Sequence, residues 1–254
     1  MSIATLSMYD WPETKQALDR FWTSVAKHLK QYGISPPYTL TRIEHPSTLW
    51  THPDLLVGQT CGWPYANTLR GKAIPFARFV YDISRCPSGH YNSVYIGRKA
   101  EDSRFLESAE ALLSAEKIAI NGNDSQSGFH VFREITGEYS CNTIPEEKRL
   151  ITGAHRNSVI AVAEGKAEIA AIDGVSFELA KRHEPEAASK VVVIGHSQPK
   201  PGLPLITSLQ HEAEASRLFS ALEKSVFDLS TAEREQLLIT GLMAAEDQEY
   251  DVFL

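Results

Sequence analysis

Hydrophobic positions along the chain switch repeatedly between two periods. From residue 14 to 31, Leu18, Phe21, Trp22, Val25 and Leu29 recur at helical spacing, Pro12 suits the start and Gly33 the stop. Runs of strand length fall at 3–8, 38–43, 54–60, 73–82, 91–98, 117–120, 149–152, 167–172, 191–195 and 204–208. Helical patterns lie among them at 47–50, 101–114, 127 to about 137, 157–165, 175–183, 212–227 and 231–241. Residues 61–65 read as a loop. There is no internal repeat and no low-complexity segment.

Strands that alternate with helices predict an α/β protein with mostly parallel sheets and helices on both faces. Two β-rich connectors, 91–98 and 204–208, bracket a block of about 100 residues, an ordinary domain size. With both taken as crossovers, residues 1–90 and 205–254 form one lobe and residues 91–204 the other. Ligands of such folds sit beyond the carboxyl ends of the strands, between the lobes.

One segment stands out for chemistry: Asn121, Gly122, Asn123, Asp124, Ser125, Gln126, Ser127 and Gly128. It joins the apolar run 117–120 to a helical pattern. A polar turn before a helix leaves the first N–H groups without backbone acceptors. Those donors, the helix dipole and two hydroxyls suit an oxyanion without requiring a formal positive charge. The plainer reading is helix capping, at which Ser and Asp excel. A carboxylate beside an anion is repulsive, so Asp124 fits the capping role better.

Composition narrows the function classes only a little. The chain is 43% hydrophobic and 22% charged, as expected of a globular protein, with a formal net charge of -7. That balance argues against nucleic acid as a partner. Cys61, Cys86 and Cys141 show no C-x-x-C pair and no metal-ligand spacing, so neither a metal nor another cofactor is expected. No apolar run approaches the roughly 20 residues of a membrane span. The first residues lack a basic start and a long apolar stretch. The chain as it stands is therefore expected in the cytoplasm, or in the periplasm if a leader has been removed.

Five landmarks in order resemble the phosphonate-type substrate-binding proteins of ABC transporters, a branch of the type 2 periplasmic-binding fold. Tyr91-Asn92-Ser93-Val94 is similar to that family's Tyr-x-Ser crossover strand. Asn123-Asp124-Ser125-Gln126-Ser127-Gly128 resembles its phosphate-binding Ser-x-Ser-Gly turn. Thr152-Gly153-Ala154-His155, followed by Ser158 and Val162, resembles its Gly-x-His helix start. The run from Gly165 to Asp173 is similar to its strand ending in a binding Asp. Pro201-Gly202-Leu203-Pro204 resembles its return crossover. The likeness spans about residues 3 to 210. It implies a two-lobed fold with two crossovers, a small phosphate- or phosphonate-like ligand, and an ABC-transporter permease as partner.

The remaining candidates follow from position. His155 precedes a helix and can donate to an oxyanion, with an affinity that depends on pH if it is charged. Asp173 ends a buried strand and can accept from a ligand hydroxyl or amine, or simply cap the next helix. Tyr9, Trp11, Trp63 and Tyr65 follow the first and third strand patterns and can cover the organic part of a ligand, or pack beneath their loops. Tyr91 and Ser93 alternate on a strand and share a face. The chain has no nucleophile elbow, no Gly-Lys-Ser/Thr phosphate loop and no H-E-x-x-H. Non-catalytic binding is the expectation. The alternatives are an enzyme on the same fold, resembling chorismate dehydratase, and a ligand sensor acting through a partner.

Overall fold

The computed structural model of the chain describes residues 2–99, 109–137 and 144–254. The chain runs through β1 (Ile3–Thr5), a 3-10 turn at Ser7–Tyr9, and α1 (Lys15–Gln31). A 3-10 turn at Pro46–Leu49 precedes β2 (Leu55–Gln59), the helical turn α2 (Gly62–Pro64) with its continuation Tyr65–Leu69, and β3 (Ala73–Tyr81). Next come β4 (His90–Tyr91), β5 (Ser93–Arg98), α3 (Ala109–Ser114) and β6 (Ile118–Ile120). A 3-10 turn at His130–Phe132 leads into α4 (Arg133–Thr136), then β7 (Arg149–Ile151), α5 (His155–Ala163), β8 (Ile169–Asp173), α6 (Gly174–His183) and α7 (Pro185–Ser189). The last elements are β9 (Val191–His196), β10 (Lys200–Pro201), β11 (Pro204–Ser208), α8 (Ala215–Asp228), α9 (Thr231–Leu237), β12 (Ile239–Ala244) and a 3-10 turn, Asp247–Phe253.

These elements form two units. Unit 1 comprises Met1–Asp82, Ser88–His90 and Pro201–Leu254, and unit 2 comprises Ile83–Pro87 and Tyr91–Lys200. Each has a five-stranded sheet, ordered β1-β2-β11-β3-β12 in unit 1 and β7-β6-β8-β5-β9 in unit 2. In unit 1 the apolar face of α1 packs with α8 against Leu56, Val57, Ala77, Phe79 and Leu205. The opposite face carries Leu55, Ala73 and Ile206 against Tyr65, Tyr250 and Phe253. The alternation of strand side chains thus feeds two separate cores. In unit 2, Tyr95, Ile118, Ile120 and Ala171 pack with Phe129 and Phe132 on one face. Helix α5 lies against β5, β6 and β8.

The sheets are mixed rather than mostly parallel. Parallel ladders join β1 to β2, β6 to β7 and β6 to β8. Antiparallel ladders join β11 to β2 and β3, β12 to β3, and β5 to β8 and β9. The reason is topological. Both β5 and β11 enter their sheets directly from a connection between units, without a crossover helix to reverse the chain. Each inserts between two strands that run the other way.

Three local expectations also change. Residues 38–43 form no strand: they follow Pro36-Pro37, and their tie to β1 is one bond from Thr41 N–H to the Ala4 carbonyl, 2.7 Å. Residues 61–65 are a helical turn rather than an open loop. The helix expected over 231–241 stops at Leu237, because Leu238 turns through φ 58° and the chain then pairs with the free edge of β3 as β12. Local helical propensity loses there to sheet pairing. Of the helix expected over 101–114, Ala109–Ser114 is present and residues 101–108 lie outside the described residues, as does Cys141. Cys61 and Cys86 are half-buried, and Cys61 Sγ donates to Met8 Sδ at 3.9 Å.

Candidate functional site

The topology of unit 2 brings its polar loops to one sheet edge. Because β6 is parallel to both β7 and β8, the chain leaves all three strands on the same side, at Asn121, Thr152 and Asp173. Antiparallel β5 starts there, with Ser93 opposite Asp173. In a sheet whose central strands β6 and β8 are buried and largely apolar, this edge gathers Ser93, Ser125, Gln126, Ser127 and Asp173, all at most 6% exposed.

The turn at 125–128 is held from within. The Phe129 and His130 N–H groups donate to the Ser125 carbonyl, at 3.2 and 3.0 Å, and Val131 N–H to the Gln126 carbonyl, at 2.9 Å. Ser125 Oγ accepts from Gly128 N–H at 3.0 Å, so this hydroxyl caps the turn. Outside the turn, Ser93 Oγ donates to the Ser127 carbonyl at 2.9 Å. Ser93 therefore positions the turn. The N–H groups of Gln126 and Ser127 have no protein acceptor among the described residues.

Ser127 Oγ lies 2.9 Å from His155 Nε2, which joins the turn to the start of α5. That start is open, as are those of α1, α7 and α8. Ala154 occupies the cap position in an extended conformation, φ -156° and ψ 151°, and no side chain caps the helix. The donors of the first turn of α5 therefore lack the usual side-chain oxygen. The helix expected from Ser127 is instead the 3-10 turn and four-residue α4. A dipole contribution at this edge comes from α5, beginning at His155, more than from the segment after Ser127.

Burial lowers the pKa of His155 to about 4, with a small opposing effect from the Ala171 carbonyl nearby, and Nδ1 has no hydrogen-bond partner. The imidazole is thus neutral at pH 7 and offers hydrogen bonding rather than charge. Space at the turn is tight: a Cβ on Gly128 would fall 1.9 Å from Asn121 Oδ1 and 3.1 Å from His155 Cε1. Asn121 Oδ1 is itself buried without a donor. A 180° turn of this amide would aim its NH2 group at the same space. Asn121 opens the polar segment singled out in the sequence, and its place as the first residue beyond β6 brings its amide to this edge.

Asp173 is 2% exposed and caps α6, with Oδ1 accepting from Ser176 N–H at 3.0 Å. Burial, reinforced by the charge of Asp173, pushes the Cys86 thiol up to about 11. Tyr91 is buried on β4.

Tyr9, Trp11, Trp63 and Tyr65 all belong to unit 1. Tyr9 and Trp11 are half-buried, with the Tyr9 ring edge-on to Tyr81 at 5.1 Å. Trp63 is half-buried on α2, against the core formed with Leu55 and Tyr250. Tyr65, expected either to cover a ligand or to pack beneath its loop, is 1% exposed, edge-on to Tyr250, and its hydroxyl donates to Asp247. Among the described residues no group of acidic, His and Cys side chains could hold a metal, and no helix is long and apolar enough to cross a membrane.

No curated protein matches the chain significantly in sequence. Solved structures do match in fold. A binding-protein component of an ABC phosphonate transporter from Pseudomonas aeruginosa is 18% identical with a TM-score of 0.68, over 92% of this chain and 79% of that one. PhnD1 from Prochlorococcus marinus, in complex with methylphosphonate, is 14% identical with a TM-score of 0.67, over 99% and 93%. A Xanthomonas citri protein bound to a chloride ion is 14% identical with a TM-score of 0.67, over 100% and 96%. The family described as "ABC transporter, phosphonate, periplasmic substrate-binding protein" matches residues 56–250. The chain belongs to this family, the phosphonate-type periplasmic substrate-binding proteins of ABC transporters.

Proposed function

We propose that the protein is a non-catalytic receptor for a small phosphate- or phosphonate-like oxyanion, which it delivers to an ABC-transporter permease. The observation that carries this reading is the 2.9 Å contact between Ser127 Oγ and His155 Nε2, which sets a hydroxyl beside the uncapped start of α5. Neutral donors serve an oxyanion well in a site closed to water, because they arrive already oriented. With its proton on Nε2, the imidazole donates to Ser127 Oγ and frees the hydroxyl proton for the ligand. The Gln126 and Ser127 N–H groups and the first turn of α5 supply further donors. Asp173, at the same sheet edge, is the carboxylate that suits a hydroxyl or amine on the organic end of the ligand. Tyr9, Trp11, Trp63 and Tyr91 are the aromatic residues that suit its apolar part.

Calorimetry with phosphate, phosphite, methylphosphonate and sulfate tests the reading. At least one should bind, and Ser127→Ala should weaken it by about 10- to 100-fold, the loss expected for one hydrogen bond to a charged group. A folded protein that binds none of these anions would sink the proposal.

A further inference from the structure

The chain passes between the units at 82/83, 87/88, 90/91 and 200/201. On the unit 1 side, Ser88–His90 and the residues after Pro201 meet over a buried charge. Gly202 N–H donates to the Gly89 carbonyl at 2.8 Å. Below them lies Arg78 of β3, 3% exposed, whose guanidinium donates twice to Glu249, at 2.6 and 2.8 Å. A Cβ on Gly89 would fall 2.9 Å from Arg78 Nε and 2.6 Å from Met243 Sδ, and Gly89 has φ +71°. A Cβ on Gly202 would fall 2.9 Å from the Gly89 carbonyl oxygen and 3.5 Å from Arg78 Cδ. The segments at Ser88–His90 and after Pro201 therefore rest on Arg78 through glycines that no other residue replaces without displacement.

The next residue, Tyr250, closes the arrangement. It is fully buried, and its hydroxyl donates to the Gly202 carbonyl at 3.0 Å. Glu249 and Tyr250 both lie in the turn Asp247–Phe253, which is fixed in turn by Arg70 bound to Asp247 and Asp251. Arg78 Nε is buried without an acceptor. Such a donor favours any small shift that brings a carbonyl onto it.

We infer that Arg78, Glu249 and Tyr250 are positioning residues that anchor the passages at 90/91 and 200/201 on unit 1, and so set ligand affinity from outside the anion-binding turn. Movement of one unit against the other must be absorbed by these few connecting residues. Ligand affinity scales with the fraction of molecules in the binding-competent arrangement, so a looser anchor lowers it. The effect on affinity rests on the binding reading above; the anchoring itself does not.

Hydrogen exchange of the ligand-free protein reads the anchor directly. Tyr250→Phe keeps the ring and removes the bond to Gly202. Glu249→Gln keeps the shape and removes the charge beside Arg78. Each should speed exchange of the Gly202 amide about tenfold, the effect of one lost hydrogen bond, while amides of α1 stay at wild-type rates. Exchange at Gly202 that is unchanged in both variants, or that rises only together with α1, overturns the anchor. A second arm measures methylphosphonate and inorganic phosphate by calorimetry. Tyr250→Phe should weaken a bound anion by about threefold or more. Unchanged affinity with faster exchange overturns the link to binding. If the wild type binds neither anion, the receptor reading and the link to affinity fall together, and the exchange arm still decides the anchor.

Discussion

Helices α5 and α6 start at the same edge of the same sheet, and they treat their first turns in opposite ways. At α6, Asp173 folds its carboxylate back onto Ser176 N–H, 3.0 Å away. At α5 the equivalent position is Ala154, which has the extended backbone of a cap and no side-chain oxygen. A Ser, Thr, Asp or Asn at such a position is typically worth about 1 kcal/mol. The protein forgoes that stabilisation at the one helix start whose first side chain touches Ser127. The capped end satisfies a donor of its own first turn. The uncapped end, beside a turn with two N–H groups unengaged among the described residues, is the one on which the proposed receptor reading rests.

The harshest way to break this contrast is to fill the space between the turn and α5. In Gly128→Ala the new methyl would overlap Asn121 Oδ1, at 1.9 Å, so the turn or the buried amide must move. Overpacking of this kind typically costs about 1–3 kcal/mol of stability. Oxyanion binding should become undetectable by calorimetry at millimolar anion, while circular dichroism still reports a folded protein. Affinity within threefold of wild type would move the site away from this edge.

His155 offers a second test, through pH. Its folded pKa is about 4, lowered chiefly by burial, against about 6.5 in an unfolded chain. Between those values the unfolded state binds more protons. Its contribution to stability is therefore complete above pH 6.5 and is lost as pH falls toward 4. His130, also lowered to about 4 by burial and by Arg133, adds to the same slope. The full shift at His155 corresponds to roughly 3 kcal/mol. Urea unfolding at pH 6.5, 5.5 and 4.5 should show a steep loss in the wild type and about half that loss in His155→Gln. Identical slopes would mean that His155 is not buried as a neutral group.

Much of this was readable from residue order, and the failures have physical causes. The buried face of α1 followed from the spacing of Leu18, Phe21, Trp22, Val25 and Leu29. The family followed from landmarks that no periodicity argument would supply. Strand direction was not readable, because β5 and β11 look like any other apolar run and only their arrival from a connection reverses them. The end of α9 was missed because Leu238 adopts φ 58°, which apolar patterning does not signal. Ser125 and Ser127 were equivalent in sequence. Geometry separates them, one capping the turn and the other facing His155. The pairing of Arg78 with Glu249, 171 residues apart, left no local trace at all.

The smallest effects sharpen the comparison most, because they exchange the roles of the two helices. Ala154→Ser supplies α5 with the missing cap. The backbone is already extended there, so nothing needs to move. The variant should unfold at a free energy about 0.5–1 kcal/mol higher than wild type, the usual gain from a serine cap. Its hydroxyl would now compete for the N–H groups that hold the anion, so phosphate should bind about threefold to tenfold more weakly. Asp173→Ala does the reverse at α6, with a loss of about 1 kcal/mol of stability and no weakening of phosphate, because the proposed phosphate donors lie on the turn and on α5. Urea unfolding and phosphate titration of the two variants give four numbers. A helix that exists only to support the sheet gains stability from a cap and loses nothing. If Ala154→Ser becomes more stable and binds phosphate as before, the open end of α5 is an unoptimised helix start and not part of the receptor site.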